Sequence, residues 1–218
     1  MADPTYFEYG DTEINWLKSR DATLSAAIDE IGHINRPVIP GLFEALIHSI
    51  VGQQISAKAL VTVWARIRER TEPFTAGTIV ALPVEDLQKC GISMRKAVYI
   101  REAAHAVETG VLDLTSLHGL PDDKICRQLS QLKGIGVWTA EMLMTFSMQR
   151  PDVMSWDDLA IHRGLRMLYK HRKITPALFA KYKRRYSPYA TVASLYLWAI
   201  AGGSYLTLTD PAQKKKKE

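Results

Sequence analysis

Two glycines spaced by one residue interrupt a helical pattern near the middle of the chain and create a possible anion site. The stretch reads Leu132-Lys133-Gly134-Ile135-Gly136, and helical spacing resumes at Val137. Glycine permits positive φ and close backbone approach, while a following helix presents unpaired N–H groups and the positive end of its dipole. This combination suits a phosphate group. The spacing fits equally well a tight turn between two helices that needs glycine only for its geometry.

Two adjacent acids, Asp157 and Asp158, open the next helical segment, directly after Trp156. A carboxylate held near a helix N-terminus is expected to stay ionised. It is therefore better suited to stabilising a cationic transition state than to donating a proton. The simpler interpretation is that both acids only cap the helix.

Aromatic side chains accompany both segments and recur in the last apolar stretch of the chain. They are Trp138, Trp156, Tyr196 and Trp198. Two tryptophan faces beside a carboxylate would bind a flat, electron-poor or cationic ring by stacking and cation–π attraction. Taken one at a time, each of these residues is more readily explained as part of a hydrophobic core.

The elements that must position these residues have helical spacing throughout. Apolar residues recur three and four positions apart, with Ser56 and Ser93 as N-caps, Pro121 as a first helical residue and a further helix after Thr175-Pro176. The pattern predicts an all-α fold of about ten short helices. One of them runs from Val137 to about Phe146, and no alternating strand of useful length is present.

Composition narrows the class of protein further. The net charge is +5, but the lysines at 214–217 with Glu218 contribute +3, which leaves +2 for residues 1–213. Residues 211–218 are expected to form a disordered tail that adds weak, salt-sensitive affinity for phosphates. Cys90 and Cys126 stand far apart without clustered histidines, so neither a disulfide framework nor a zinc site is predicted. No leader and no membrane span is predicted.

Taken together, these residues resemble the helix-hairpin-helix base-excision DNA glycosylases, the HhH-GPD superfamily, and within it the 3-methyladenine DNA glycosylase II branch. The resemblance covers roughly residues 20–203, and the hairpin followed by an aspartate is its most specific part. The matching segments are Ile50-Val51-Gly52-Gln53-Gln54-Ile55-Ser56, Gly91-Ile92-Ser93-Met94-Arg95-Lys96-Ala97, the hairpin at 132–140, the segment 152–164, and Tyr186-Ser187-Pro188-Tyr189 with 193–198.

The resemblance implies a two-lobed all-helical fold with a cleft between the lobes. Residues 1–210 would form a single glycosylase unit, with 42–150 as the central lobe that carries the hairpin, and 1–41 plus 151–210 as the second lobe. The expected partner is double-stranded DNA containing alkylated bases. The protein would act as a monomer without a cofactor and without a membrane, in the cytoplasm or nucleoid of a prokaryote or in a eukaryotic nucleus.

The resemblance also implies roles for individual residues. Asp158 is the expected catalytic aspartate. Trp138, Trp198 and Met142 would line the base pocket. Gln54 and Ser56 would contact the DNA, and Gln54 would fill the gap left by a flipped base. The backbone of Lys133, Gly134, Ile135 and Gly136 would hold the phosphate 3′ of the lesion, in some relatives with a monovalent cation on the hairpin carbonyls. No other metal is expected.

Departures from the wider superfamily refine the expected chemistry. Members that also cleave the DNA strand carry a lysine nucleophile where this chain has Trp138, so a monofunctional glycosylase without lyase activity is predicted. No cysteine follows Cys126, so no iron–sulfur cluster is expected. Gln54 and Met142 stand where the best-known bacterial members have leucine and tyrosine. Two alternatives remain, a DNA-damage-binding module without catalysis and a structural all-α interaction protein.

Overall fold

In a computed structural model, which describes residues 4–205 and 207–212, every regular element is a helix. The all-α prediction is confirmed, and one isolated bridge pairs Tyr6 with Pro37. The thirteen helices of these residues are α1 (Asp11–Arg20), α2 (Ala22–Ile31), α3 (Leu42–Gly52), α4 (Ala57–Arg70), α5 (Ala76–Ala81), α6 (Val84–Gln88), α7 (Met94–Glu108), α8 (Leu114–Leu117), α9 (Asp122–Leu129), α10 (Val137–Phe146), α11 (Leu159–Tyr169), α12 (Pro176–Tyr186) and α13 (Ala190–Gly202).

The chain divides into two compact units, and one of them is a continuous segment. Ile39–Met148 contains α3 to α10, whereas the other unit combines Met1–Val38 with Gln149–Glu218 and contains α1, α2 and α11 to α13. Of the predicted tail 211–218, residues 213–218 lie outside the described residues. No helix in the described part of the chain is both long enough and apolar enough to cross a membrane.

In the continuous unit, α3 forms the centre of the core. It buries six apolar residues and packs against α4, α7 and α10. Ser56 caps α4 by accepting a hydrogen bond from the Ala59 amide, and Ser93 caps α7 by accepting one from the Lys96 amide. α5 and α6 pack on α7, so α7 supports the surface on which the 132–136 turn lies.

In the other unit, α13 is the central element. It is buried around most of its circumference and packs against α1, α2, α11 and α12. α11 makes the most extensive of these contacts. Helix α11, which begins directly after Asp158, therefore packs on the core of this unit.

The predicted helices agree closely with the observed ones, with two omissions. α10 spans Val137–Phe146 as predicted, and α4, α7, α11 and α12 begin within two residues of the expected positions. The estimate of about ten helices was too low. The sequence pattern missed α1, which buries Leu17 alone, and the four-residue α8.

Candidate functional site

The hairpin turn needs glycine at one of its two glycine positions. Gly134 has φ +85°, and a Cβ placed there would lie 2.5 Å from Cδ2 of Tyr99 on α7. Gly136 has φ −87° and no heavy atom within 4 Å of a Cβ position. Positive φ and close packing are thus found at Gly134 alone of the two, while Gly136 leaves the surface open to an approaching group.

The N-terminus of α10 has the features of an anion site. Gly136 is the N-cap of α10, and no side chain makes a capping hydrogen bond to this helix. Ile135 is buried and anchors the turn, whereas Lys133 is exposed and pairs with Glu102 at 2.8 Å. The hydrogen bond that Lys133 Nζ donates to the Glu102 carboxylate raises the pKa of the lysine ammonium, so the turn presents backbone N–H groups beside a charged lysine.

A hydrogen-bonded bridge joins this hairpin to the segment that contains Gln54. The side-chain Nε2 of Gln53 donates to the Gly134 carbonyl at 2.7 Å. From α7, Lys96 Nζ donates to the carbonyls of Val51, at 2.9 Å, and of Gln53. Burial lowers the pKa of the Lys96 ammonium. Lys96 and Gln53 therefore hold the Gly52-to-Ser56 connection in a defined position against the hairpin.

Gln54 projects from this fixed connection in an uncommon backbone conformation. It is exposed and has φ +56°, which is unfavourable for a residue other than glycine and is often found at functional sites. Ser56, two residues later, is also exposed and serves as the N-cap of α4. Both residues predicted to contact DNA thus lie in one exposed loop beside the hairpin.

The hairpin carbonyls match the donor set that a monovalent cation would need. In the described part of the chain, the carbonyl oxygens of Lys133 and Ile135 accept no hydrogen bond from another protein group. Oxygen atoms are the ligands that hard cations prefer. No group of three His, Cys, Asp or Glu side chains among residues 4–205 and 207–212 is arranged to hold a metal ion.

Trp138 and Met142 share one face of α10. They are four residues apart and are therefore neighbours on the helix surface. Trp138 is 45% exposed, and Met142 is half-buried. The structure brings these two predicted pocket residues together on the helix that follows the hairpin.

Asp158 is buried in the other unit and is held by the first turn of α11. Its Oδ1 accepts hydrogen bonds from the amides of Ala160, at 2.8 Å, and Ile161, at 2.9 Å. Asp157 is exposed. The preceding loop is fixed by a 2.8 Å hydrogen bond between His162 Nε2 and the Trp156 carbonyl. The carboxylate at 158 therefore has a defined orientation at the positive end of a helix dipole.

Trp198 lies on α13, which crosses α11 at very short range. A Cβ on Gly164 would lie 2.4 Å from the carbonyl oxygen of Leu197, so glycine is required at this crossing. The crossing is about 9 Å along α11 from Asp158, and Trp198, half-buried, directly follows Leu197. Asp158 and Trp198 are thus carried by two tightly packed helices of one unit.

Two other aromatic candidates have different roles. Tyr196 is fully buried, and its hydroxyl donates to the Gly32 carbonyl at 3.0 Å, so it belongs to the core. Trp156 is 40% exposed and packs edge-on against His162 and Phe179. It supports the loop before Asp158.

The sequence pattern missed three residues that organise the hairpin: Gln53, Tyr99 and Glu102. Lys96 was noted only as part of the matching segment at 91–97. Gln53 lies in the matching segment at 50–56, but nothing in the local sequence indicates which of the two adjacent glutamines turns toward Gly134. Tyr99 and Glu102 act through contacts with residues more than thirty positions away.

Comparisons with known proteins place these features in a family. The family model described as HhH-GPD superfamily base excision DNA repair protein matches residues 47–188. DNA-3-methyladenine glycosylase 1 of Schizosaccharomyces pombe is 32% identical to the chain over 179 residues, which cover 80% of this chain and 78% of that protein.

Two solved structures are similar over most of their length. The DNA-3-methyladenine glycosidase from Bacillus halodurans gives a TM-score of 0.82 at 35% identity, with 91% of this chain and 93% of that chain covered. The Schizosaccharomyces pombe 3-methyladenine DNA glycosylase in complex with abasic DNA gives a TM-score of 0.74 at 28% identity, with 89% and 99% covered.

Proposed function

Because the chain belongs to the HhH-GPD superfamily of base excision DNA repair proteins, we propose that it is a DNA glycosylase of alkylation repair. Its substrates are alkylated purines of the 3-methyladenine and 7-methylguanine type in double-stranded DNA, and it acts on them as a monomer. Relatives named DNA-3-methyladenine glycosylase in yeasts and bacteria support this substrate class.

Release of an alkylated purine from the sugar requires no strong general acid. Alkylation at N3 or N7 makes the purine cationic, which weakens its bond to the sugar and lets the base leave as a neutral molecule. What remains is to stabilise the positive charge that develops on the sugar and to admit a water nucleophile. The buried carboxylate of Asp158, oriented by two backbone amides, is the observation that carries this proposal.

The other site residues serve DNA binding and base flipping. The backbone of Lys133, Gly134, Ile135 and Gly136 binds a phosphate, and the oxygens of Lys133 and Ile135 would hold a monovalent cation that adds positive charge there. Gln54, in the loop with Ser56, fills the space of the extruded base. Trp138, Trp198 and Met142 stack on the cationic ring.

The enzyme is monofunctional in this proposal. Strand cleavage in the superfamily requires an amine two residues after the second hairpin glycine, and this position is Trp138. An indole forms no Schiff base with the sugar. We therefore expect base release to leave an intact abasic strand.

The decisive experiment compares Asp158→Asn with Asp157→Asn. Asparagine is as good an N-cap as aspartate, so Asp158→Asn removes the charge and retains the cap of α11. Release of methylated bases from alkylated duplex DNA, resolved by base identity, should fall at least about 100-fold in this variant. DNA binding and the melting temperature should be retained.

The exposed Asp157 provides the matched control, and Asp157→Asn should release bases at the native rate. Native release by Asp158→Asn, or loss of release in Asp157→Asn instead, would overturn the assignment. A native chain that binds alkylated DNA without releasing any base would indicate the alternative, a damage-binding module.

A further inference from the structure

Residues 159–209 form a stretch of the chain without a single acid. The protein has 23 Asp and Glu residues, and none of them lies in this stretch. The stretch contains nine of the 28 Lys and Arg residues: Arg163, Arg166, Lys170, Arg172, Lys173, Lys181, Lys183, Arg184 and Arg185. A protein body of nearly balanced charge therefore concentrates its positive charge on α11, α12 and their connection.

Three of these nine side chains make ion pairs or hydrogen bonds within their own unit. Arg166 makes two hydrogen bonds to Asp210, at 2.9 and 2.6 Å, and Arg185 pairs with the buried Asp21. Lys183 donates to the Met154 carbonyl at 3.4 Å. These three side chains are half-buried and stabilise the fold.

The other six cations are exposed, and five of them lie beyond Arg163, from the end of α11 to α12. These five are Lys170, Arg172, Lys173, Lys181 and Arg184, called the basic surface below. Within the described part of the chain, none of the five forms an ion pair. Because no acid occurs in the same stretch, their charges reinforce one another.

The basic surface is rigid because aromatic side chains at the end of α11 and in the following connection pack on α12. The ring of Tyr169, the last residue of α11, stacks on Tyr182 of α12 with centroids 4.2 Å apart. His171 Nε2 lies 2.8 Å from the Tyr182 hydroxyl. The 170–173 connection is thus folded back beside Lys181, and Lys181 and Arg184 share the outer face of α12.

The inner face of α12 supports the segment that leads to Asp158. Phe179 packs edge-on against Trp156 with centroids 5.1 Å apart, and Lys183 contacts the Met154 carbonyl. Phe179, Tyr182 and Tyr186 are all buried. The helix therefore has no apolar face left for a lipid bilayer, which a surface-bound amphipathic helix would need.

We propose that the basic surface binds the sugar–phosphate backbone of duplex DNA, outside the hairpin contact. Rigidly held cations in a stretch of chain that contains no acid match a row of phosphates, and such contacts need no base recognition. The proposal rests on the proposed function in one respect, namely that duplex DNA is the substrate. In this role the surface aligns and retains the duplex while the residues around Asp158 act on one nucleotide.

The test compares two quadruple variants with the same change in net charge. The first carries Arg172→Gln, Lys173→Gln, Lys181→Gln and Arg184→Gln. The control carries Lys18→Gln, Arg20→Gln, Arg70→Gln and Lys89→Gln, which neutralises two lysines and two arginines on α1, α4 and beside α6. Fluorescence anisotropy would measure the Kd of an undamaged 24-base-pair duplex between 50 and 300 mM KCl.

Each lost phosphate contact lowers the slope of log K against log salt by about 0.9. The first variant should lose about 2–4 units of slope and bind at least about tenfold more weakly at 100 mM KCl, while the control loses less than about one unit. Equal slopes for the two variants would overturn the proposal.

A vesicle assay separates DNA from a membrane as the partner. If the native chain bound phosphatidylserine vesicles more tightly than duplex at 150 mM KCl, and the first variant lost that binding, the surface would be assigned to a membrane instead. Base release from alkylated DNA is scored independently. Normal base release together with equal salt slopes for the two variants would refute only the DNA-binding role of the basic surface. A difference between the salt slopes without any base release would refute only the proposed glycosylase activity.

Discussion

Gly134 and Gly136 are two positions apart, yet the backbone makes different demands at each. Gly134 has φ +85° and lies against the Tyr99 ring, so any side chain there meets both backbone strain and a steric clash. Gly136 has an ordinary φ and open space around it. The first glycine is needed by the fold, and the second leaves room for a phosphate at the start of α10.

Substituting these glycines separates folding from DNA binding. Gly134→Ala should lower the free energy of unfolding by about 1–3 kcal/mol because of strain, and Gly136→Ala by less than about 1 kcal/mol. Both should weaken duplex binding. Denaturant unfolding and anisotropy titrations would measure the two effects, and native DNA affinity in a stable Gly136→Ala protein would contradict the proposed phosphate site.

At the scale of elements, most helices and their caps could be predicted because local chemistry specifies them. Ser56, Ser93 and Pro176 mark helix starts in the sequence, and α10 follows from the glycines before it. α1 was missed because it buries only Leu17 and shows little periodicity. The bridge from Lys96 through Gln53 to Gly134 was also missed, since it depends on α7 packing beside two distant segments.

This bridge predicts coupling between α7 and the loop that carries Gln54. Lys96→Met and Gln53→Ala should each slow base release from duplex DNA about tenfold, as expected for the loss of hydrogen bonds worth about 1.4 kcal/mol. Since both changes free the same loop, the double variant should be hardly slower than either one.

Arg95→Met is the control for Lys96→Met, because Arg95 is adjacent and exposed and its replacement removes the same charge. Single-turnover rates of base release would be measured for the native protein, the two single variants, the double variant and the control. Losses that multiply in the double variant would mean that the two residues act independently.

At the scale of the whole molecule, the ion pair between Arg166 and Asp210 links the segment after α13 back to α11. Asp210 is buried, and the Arg166 guanidinium lowers the pKa of its carboxyl below the ordinary value. A lowered pKa in the folded state stabilises the protein at every pH above the ordinary value near 3.8. The contribution is lost as the pH falls through the lowered pKa.

Asp210→Asn should therefore reduce the free energy of unfolding at pH 7 by about 1.5–3 kcal/mol. Toward pH 2 the difference from the native chain should shrink, because the native carboxyl also becomes neutral. Denaturant titrations at the two pH values would measure this change. Asp29→Asn, which removes an exposed ion pair with Lys18, should cost less than about 1 kcal/mol. A difference that does not depend on pH would exclude the charge of Asp210 as the cause.

The discontinuous unit also sets an order of events during synthesis. Helix α2 buries Leu24, Ala27 and Ile28 and packs on α11 and α13, which emerge only after the intervening Ile39–Met148. At translation rates of about 5–20 residues per second, that interval lasts roughly 5–20 s. The continuous unit can fold on the ribosome in this time, while the apolar face of α2 waits for its partners. In the nascent chain, the apolar face of α2 is thus exposed to chaperones and to misassociation until α11 and α13 emerge.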